Sequence, residues 1–114
     1  MEEVVVRPWG TYQTIYRGET YQVKRIVVNP NSKLSLQSHN KRSEHWMIVE
    51  GVGVVTLNDE EITASKDSHI YIPVQAKHRM TNDTDSPVVF VEVQNGDYLG
   101  EDDIIRYEDV YGRK

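Results

Sequence analysis

The sequence predicts an all-β fold, a sandwich or small jelly-roll barrel, and three observations support this class. Short runs rich in Val, Ile, Tyr and Thr recur along the chain, as is typical of strands. Turn-forming pairs such as Asn58-Asp59 separate the runs at short intervals. Apolar residues repeat at helical spacing in no window except the tail from Asp102 to Val110. We therefore expect many short strands, closed by a short C-terminal tail or helix.

The first half of the chain contains four predicted strands. Asn29-Pro30-Asn31-Ser32 ends the second strand, a polar turn over Asn40–Ser43 follows the third, and Glu50-Gly51 ends the fourth. The four strands are Tyr12–Tyr16, Tyr21–Val28, Leu34–His39 and His45–Val49.

The second half contains five more predicted strands. Their turns are Asn58-Asp59, Lys66-Asp67, a Pro-led loop ending at Lys77, and a polar stretch from Asn82 to Pro87. The five strands are Val52–Leu57, Ile62–Ala64, His69–Ile72, His78–Thr81 and Val88–Gln94.

Bulk composition limits the function classes. The chain has 114 residues, which fits one domain over residues 1–114, and its net charge of -5 argues against a nucleic-acid or anionic-membrane surface. No run approaches the roughly 20 apolar residues of a membrane helix. The sequence has no cysteine and its first ten residues lack the pattern of a signal peptide, so we expect a cytoplasmic protein.

The stretch QSHNKRSEH (37–45) is the most informative part of the sequence. Gln37 and His39 are two apart, so on a strand their side chains share one face. The polar turn after His39 lets the chain reverse and bring Glu44 back beside it. His78, which begins a later strand, is a candidate fourth ligand. Imidazole and carboxylate donors suit zinc and other first-row divalent metals, and an open position would suit catalysis.

Judged on these residues alone, a non-functional interpretation is as well supported as a metal site. Gln37, His39 and Glu44 could be solvated polar residues at a strand end, and a lone histidine is more often structural than a ligand. The acidic run Glu101-Asp102-Asp103 is interpreted as an exposed or helix-capping charge cluster.

Motif spacing resembles the cupin superfamily. The first motif has the form His-x4-Glu-x6-Gly (His39, Glu44, Gly51), and Pro-x4-His-x3-Asn (Pro73, His78, Asn82) follows. Cupins usually begin the first motif with His-x-His, whereas this chain has Gln37-x-His39. A glutamine there resembles the phosphomannose isomerases, whose metal ligands are a Gln, two His and a Glu.

Longer strings narrow the resemblance to type II mannose-6-phosphate isomerase, often the C-terminal part of bifunctional phosphomannose isomerase/mannose-1-phosphate guanylyltransferases. The resemblance covers Arg7 to Arg113 and implies a single cupin domain, here as a stand-alone domain, because 114 residues are too few for a nucleotidyltransferase domain as well. The strings occur in the order RPWG, QVKRI, KLSLQ, EHW, YIP, HR, EVQ, YLGEDDI and YGR.

One departure from the family pattern lies beside the proposed ligands. The family commonly shows QMHHHRAEHW, whereas this chain has QSHNKRSEHW, so Asn40 and Lys41 replace two histidines. A catalytic contribution from either histidine would weaken the isomerase assignment. The four ligand positions are unchanged.

The resemblance implies interconversion of mannose 6-phosphate and fructose 6-phosphate by proton transfer through an enediol. It implies one divalent metal ion on Gln37, His39, Glu44 and His78, with zinc first and cobalt, manganese or nickel as alternatives. Arg42 is the first candidate for stabilising substrate charge. The base is His45 or Glu92, although a regular strand would point His45 away from the face that Glu44 uses. The candidate phosphate-binding cations are Lys24, Lys33, Lys41 and Arg79.

Two other functions stay open. A non-catalytic cupin that binds a sugar or metabolite, as a sensor or accessory subunit, is the main alternative. A dioxygenase usually needs three His and a Glu around iron, and Gln37 argues against it. The expected partner is a small phosphosugar substrate, with no nucleic acid and no membrane. We also expect a homodimer, with Val4-Val5-Val6 as a candidate for strand exchange.

Overall fold

A computed structural model describes residues 1–112, and every regular element in this range is a β-strand. Within this part of the chain no helix is present that could cross a membrane. The twelve strands are β1 (Val5–Arg7), β2 (Gly10–Arg17), β3 (Tyr21–Val28), β4 (Ser32–Lys33), β5 (Leu36–Ser38), β6 (Ser43–Glu50), β7 (Val52–Leu57), β8 (Glu60–Ser65), β9 (His69–Ile72), β10 (His78–Asn82), β11 (Val88–Asn95) and β12 (Ile105–Glu108).

The strands form two antiparallel sheets. The first sheet has the order β1-β2-β3-β11-β6-β9, and the second has the order β12-β5-β10-β7-β8, with β4 also paired to β10. Strands distant in sequence are therefore neighbours, and β11 lies between β3 and β6. This arrangement confirms the predicted all-β jelly roll.

The core lies between the two sheets. Along β3 and β6 buried and exposed residues alternate, as expected when one face of a strand packs inward. Trp46 and Phe90 of the first sheet are both buried, with ring centroids 4.5 Å apart, and Trp46 reaches His78 of the second sheet in an edge contact at 5.6 Å. Val55 and Met80 complete the core from the second sheet.

The predicted strands agree with the structure apart from three regions. One is β1 (Val5–Arg7), which was not among the nine predicted strands. The stretch Leu34–His39 is not one strand: β4 ends at Lys33, β5 begins at Leu36, and His39 lies after β5. The tail is not helical, because Ile105–Glu108 forms β12 and pairs with the edge of β5. Residues 113–114 of the expected domain, including Arg113 of the YGR string, lie outside the described residues.

Several turns depend on left-handed backbone. Asn58 and Asp67, both in predicted turns, have φ of 52° and 75°. Gly51 between β6 and β7 has φ of 83°, and a Cβ there would lie 2.2 Å from the carbonyl oxygen of Pro87. A side chain at Gly51 would therefore clash with backbone, which explains why glycine ends the first motif.

Candidate active site

A cavity of about 200 Å³ opens between the two sheets. Strands of both sheets, the β5–β6 turn and the C-terminal segment contribute its walls. Its lining residues are Arg7, Trp9, Tyr12, Lys24, Ile26, Leu34, Ser35, Gln37, His39, Arg42, Glu44, Trp46, His78, Glu92, Gln94, Glu101, Ile104 and Arg106.

Two buried histidines present their Nε2 atoms to the centre of this cavity. The Nδ1 atom of His39 lies 2.7 Å from the carbonyl oxygen of Asp103, and Nδ1 of His78 lies 2.9 Å from that of Ala76. A carbonyl can only accept, so Nδ1 carries the proton in both rings. In a neutral ring with this tautomer, Nε2 carries the lone pair that binds a metal. In His39 this atom also faces Nη2 of Arg42 at 3.2 Å, a contact that a metal would replace.

Glu44 lies between the two imidazoles. Its Oε2 atom is 3.2 Å from Nε2 of His39, and its Oε1 atom is 3.7 Å from Nε2 of His78. The indole N–H of Trp46 donates to Oε1 at 2.9 Å and fixes the carboxylate. One ligand atom from each of the three residues fits within a span of 4.8 Å. Two imidazoles and a carboxylate at this spacing are a suitable donor set for a divalent cation.

The protonation states also fit a cation. Burial lowers the pKa of His39 to about 4, and Glu44 only partly offsets this effect. For Glu44, burial acts to raise the pKa, but His78, Arg42 and His39 together hold it well below its ordinary value of 4.5. At neutral pH the two groups are therefore a neutral imidazole and a carboxylate, and a metal would not have to displace a proton from either.

Gln37 lies beside the three residues. It pairs with His78 across β5 and β10, so the two side chains share a face. The amide Nε2 of Gln37 donates to the carbonyl oxygen of Ser35 at 3.4 Å, which leaves its oxygen as the end available to a cation.

Arg42 closes the same side of the cavity. Its Nε donates to Oε2 of Glu44 at 2.9 Å, and its Nη2 lies 3.2 Å from Nε2 of His39. Its Nη1 is buried and, within residues 1–112, has no hydrogen-bond partner. A buried donor without an acceptor is costly, so this atom is suited to an oxygen of a bound molecule.

Glu92 is a second buried carboxyl group in the cavity. It lies on β11 between Lys24 of β3 and Trp46 of β6. Burial raises the pKa of Glu92 to about 8, the charge of Glu44 adds to the rise, and Arg42 and Lys24 oppose it. A carboxyl group that titrates near neutral pH can both accept and return a proton.

Cationic groups surround Tyr12 on the cavity wall. The Lys24 ammonium lies 4.7 Å from the centre of the Tyr12 ring and the Arg7 guanidinium 5.4 Å from it. Lys24 is buried and paired with the exposed carboxylate of Glu101. The arrangement leaves a site for an anion that could replace Glu101 beside Lys24.

Comparison with known proteins identifies the family. The sequence model of the family described as Mannose-6-phosphate isomerase C-terminal matches residues 1–109. The chain belongs to this family.

Three relatives of this chain are longer proteins. Xanthan biosynthesis protein XanB of Xanthomonas campestris is 50% identical over 109 residues, which are 96% of this chain and 23% of XanB. Alginate biosynthesis protein AlgA of Pseudomonas aeruginosa is 48% identical with the same coverage. Mannose-1-phosphate guanylyltransferase ManC of Salmonella typhimurium is 48% identical over 113 residues, 99% of this chain and 24% of ManC. The chain thus spans about a quarter of these relatives.

Solved structures confirm the cupin fold of this chain. The capsular polysaccharide assembling protein CapF of Staphylococcus aureus superposes with a TM-score of 0.80 at 20% identity, over 94% of this chain and 32% of CapF. A cupin-2 domain protein of Rhodospirillum rubrum superposes with a TM-score of 0.72 at 20% identity, over 83% of this chain and 68% of its own. At such identities the likeness concerns the fold alone.

Four predicted site residues do not line the cavity, namely Lys41 of the β5–β6 turn, His45, Arg79 and Lys33. His45 lies on the outer face of β6, where its Nδ1 is 3.0 Å from Nε2 of His69 and the two rings stack. Arg79 is buried, but it donates to the carbonyl oxygens of Leu34 and Glu108 and to the Glu108 carboxylate. Lys33 lies on β4, opposite Thr81.

Other residues of the family domain reach the cavity without having been predicted as site residues. Arg7 lines the cavity and belongs to the RPWG string. Its place in a string that matches the family could have indicated that it is a site residue. Arg106 comes from β12, which the sequence did not predict as a strand. The acidic run was interpreted correctly only in part, because Glu101 and Asp102 are exposed but Asp103 is buried. Glu101 also lines the cavity, and the Asp103 carboxylate accepts from the backbone N–H groups of Asn40 and Lys41.

Proposed function

We propose that this domain is a metal-dependent mannose-6-phosphate isomerase that interconverts mannose 6-phosphate and fructose 6-phosphate. The supporting observation is the cavity itself, in which the His39, Glu44 and His78 cluster faces the titratable carboxyl group of Glu92. Membership of the isomerase family agrees with this reaction class.

The proposed reaction moves a proton between C1 and C2 of the open-chain sugar through an enediol. A divalent cation held by Gln37, His39, Glu44 and His78, with zinc first and cobalt, manganese or nickel as alternatives, would act as a Lewis acid towards the sugar carbonyl. The residues of the chain then have three tasks: to move the proton, to stabilise the developing negative charge, and to hold the phosphate.

Glu92 is the proposed proton carrier. As a carboxylate it takes the proton from C2 of mannose 6-phosphate, and as the neutral acid it returns the proton to C1. The proton of the C2 hydroxyl group passes to the oxygen on C1, which completes the ketose. Its raised pKa of about 8 gives it useful fractions of both forms near neutral pH. His45 takes no part in this proposal, because it does not line the cavity.

Arg42, Arg7 and Lys24 are the proposed anion-binding groups. The unpartnered Nη1 of Arg42 lies in the buried region beside Glu44, where it can donate to a substrate oxygen that becomes negative. Arg7 and Lys24 lie around Tyr12 and would bind the phosphate group. Lys33 and Arg79 are not used, because each lies outside the cavity lining.

The exchange of two histidines for Asn40 and Lys41 is compatible with activity. Both residues are exposed, and their backbone N–H groups bind the Asp103 carboxylate at 2.9 Å. Their side chains are absent from the cavity lining, so the replacement leaves the proposed ligands and base intact.

The deciding experiment is a coupled assay with purified protein that has been stripped by a chelator and reloaded with zinc, cobalt, manganese or nickel. We expect fructose 6-phosphate to form from mannose 6-phosphate, and the Glu44→Gln variant to lose activity while Glu60→Gln, at an exposed position of β8, keeps it. Thermal stabilisation by the sugar phosphate without turnover would refute the isomerase and support the sugar-binding alternative.

The assembly and the compartment are further proposals. We propose a homodimer in the cytoplasm, formed through the edge strand β1, where Val4 and Val6 are exposed. Light scattering of the wild type and of a Val6→Lys variant tests the dimer. A monomeric wild type would refute it.

A further inference from the structure

A chain of three hydrogen bonds joins the protein surface to the cavity. Nη1 of Arg17 donates to Oε1 of Gln22 at 2.8 Å. Nε2 of Gln22 donates to Oε1 of Gln94, and Nε2 of Gln94 donates to Oε1 of Glu92. The Arg17 side chain is 52% exposed, whereas Gln22, Gln94 and Glu92 are buried, so the chain runs from solvent to the second carboxyl group of the cavity.

The donor-to-acceptor direction of these three hydrogen bonds is fixed at the surface, by Arg17. A guanidinium has only donors, so the amide group that meets Arg17 must turn its oxygen outward. Gln22 then presents its N–H group to Gln94, which must in turn present its own N–H group to Glu92. Each amide has one oxygen end and one nitrogen end, so the polarity set by Arg17 reaches Glu92 unchanged.

Two further contacts hold this polarity. The carbonyl oxygen of Leu99 lies 3.5 Å from Nε2 of Gln22, and a carbonyl can only accept. Arg17 is itself held by Glu2, which pairs with its Nε and Nη2 atoms and leaves Nη1 for Gln22. Both contacts favour the orientation in which Gln22 donates inward.

We propose that Arg17, Gln22 and Gln94 act as positioning residues that reserve Oε1 of Glu92 as an acceptor and leave Oε2 as the atom that binds and releases the proton. Oε1 already receives an N–H donor, so a proton on Glu92 is placed on the other oxygen. The inference rests on the proposed function only where it assigns this proton to the sugar; the orientation of Glu92 stands on the hydrogen bonds.

The same contact shifts the balance between the two forms of Glu92. A donor at Oε1 favours the carboxylate, as do Lys24 of β3 and Arg42 of the β5–β6 turn. Burial and the charge of Glu44 on β6 favour the neutral acid. If the side-chain amides of Gln22 and Gln94 were both flipped, an amide oxygen would replace the N–H donor at Oε1. Only a protonated Glu92 can donate a hydrogen bond to that oxygen.

The test compares Arg17→Glu with Arg25→Glu in metal-free protein kept in chelator. Both changes reverse a charge at an exposed arginine, on β2 and on β3, but Arg25 is outside the hydrogen-bonded chain. The carboxylate introduced by Arg17→Glu can only accept hydrogen bonds, so the side-chain amides of Gln22 and Gln94 should both flip. The Glu92 signal is followed against pH by NMR of protein labelled at the glutamate carboxyl carbon and is assigned by its loss in Glu92→Gln.

We expect Arg17→Glu to raise the apparent pKa of Glu92 by about one pH unit more than Arg25→Glu does. Gln94→Leu, which removes the donor, should raise it as well. Equal shifts in the two arginine variants, or no shift in either, would overturn the proposal, because only charge acting through space would then be at work. Arg17 is at the surface, so this comparison holds even if the buried Gln94 variant does not fold.

A kinetic measurement separates this proposal from the isomerase itself. If the wild type isomerises mannose 6-phosphate, Arg17→Glu should move the acidic limb of the kcat profile to higher pH in step with the NMR titration and leave KM unchanged. A wild type without turnover would refute the proposed function, while the NMR comparison would still decide on the hydrogen-bonded chain. A purely structural role of Arg17 would lower Tm without moving either pH profile.

Discussion

Nε2 of His39 lies 3.2 Å from Oε2 of Glu44, although a four-residue turn separates the two residues. Asp103 holds that turn from the C-terminal segment. Its carbonyl oxygen accepts from Nδ1 of His39, and its carboxylate accepts from the N–H groups of Asn40 and Lys41. The geometry of the candidate metal centre therefore depends on a residue more than sixty positions away in sequence.

Asp103→Ala should weaken metal binding by about 10- to 100-fold, as is usual when a group that orients metal ligands is lost. The turn would lose the two hydrogen bonds to the Asp103 carboxylate. The backbone carbonyl that accepts from His39 is kept in the variant, so His39 and Glu44 would be affected through the loosened turn between them. Competition with a chromophoric chelator measures the affinity. Asp102→Ala is the matched control, because Asp102 is exposed and bonds to Tyr98 instead. Equal affinities in the two variants would contradict this role of Asp103.

The sequence predicted the cavity in part, and the reasons are physical. The spacing of His39 and Glu44 around a polar turn is a local signal, and the alternation of strand side chains correctly placed His45 and Glu44 on opposite faces. Arg106 and Glu101 were missed because they approach the cavity only through the pairing of β12 with β5. Pairing between strands so far apart in sequence depends on tertiary packing, which no local pattern encodes.

In metal-free protein, the contribution of Glu92 to stability should fall with rising pH. Its pKa is about 8 in the folded protein against an ordinary 4.5, so the folded state binds the proton more tightly than the unfolded chain does. The contribution of Glu92 to the free energy of unfolding therefore falls as pH rises from about 4.5 to 8. Glu92→Gln removes the titration, so the variant should gain a few kcal/mol relative to the wild type across this window.

Urea unfolding at pH 5, 6.5 and 8 in the presence of chelator measures this difference. Glu60→Gln, at an exposed position on β8, serves as the control and should follow the wild type at every pH. If the difference in the free energy of unfolding between Glu92→Gln and the wild type is the same at every pH, Glu92 does not titrate in this range.

Glu101→Gln should strengthen the binding of inorganic phosphate. In the free protein the Glu101 carboxylate is paired with Lys24 and would repel a dianion at the same place. Removing its charge leaves the buried ammonium of Lys24 for the phosphate, whereas Lys24→Met should abolish binding. Titration followed by phosphorus NMR measures the affinities, with Glu61→Gln on β8 as a control of equal charge. If Glu101→Gln binds phosphate with the affinity of the wild type, Glu101 does not compete with phosphate for Lys24.

Arg79→Met should destabilise the fold by about 2 kcal/mol and leave KM for the sugar phosphate unchanged. The buried guanidinium donates to the carbonyl oxygen of Leu34 at 3.0 Å and to Glu108 at 3.1 Å, and thereby ties β12 to the sheet. Loss of a charged hydrogen bond typically costs about 1.5–3 kcal/mol. Urea unfolding and steady-state kinetics measure the two effects, with Arg25→Met as an exposed control. A raised KM at unchanged stability would instead support direct substrate binding by Arg79.

His45→Gln and Glu92→Gln should separate the two candidate bases. Glu92 faces the cavity, and loss of a general acid–base typically lowers kcat by about 10²- to 10⁴-fold. His45 stacks on His69 at the outer face of β6, with Tyr71 beside it, so its replacement removes only surface contacts and kcat should be retained. Kinetics of both variants with the same metal load provide the comparison, and metal analysis verifies that load. Loss of kcat in His45→Gln together with retention in Glu92→Gln would require the proton to reach the sugar from the other face of the sheet. His45 does not line the cavity, so that result would overturn the proposed cavity chemistry as a whole.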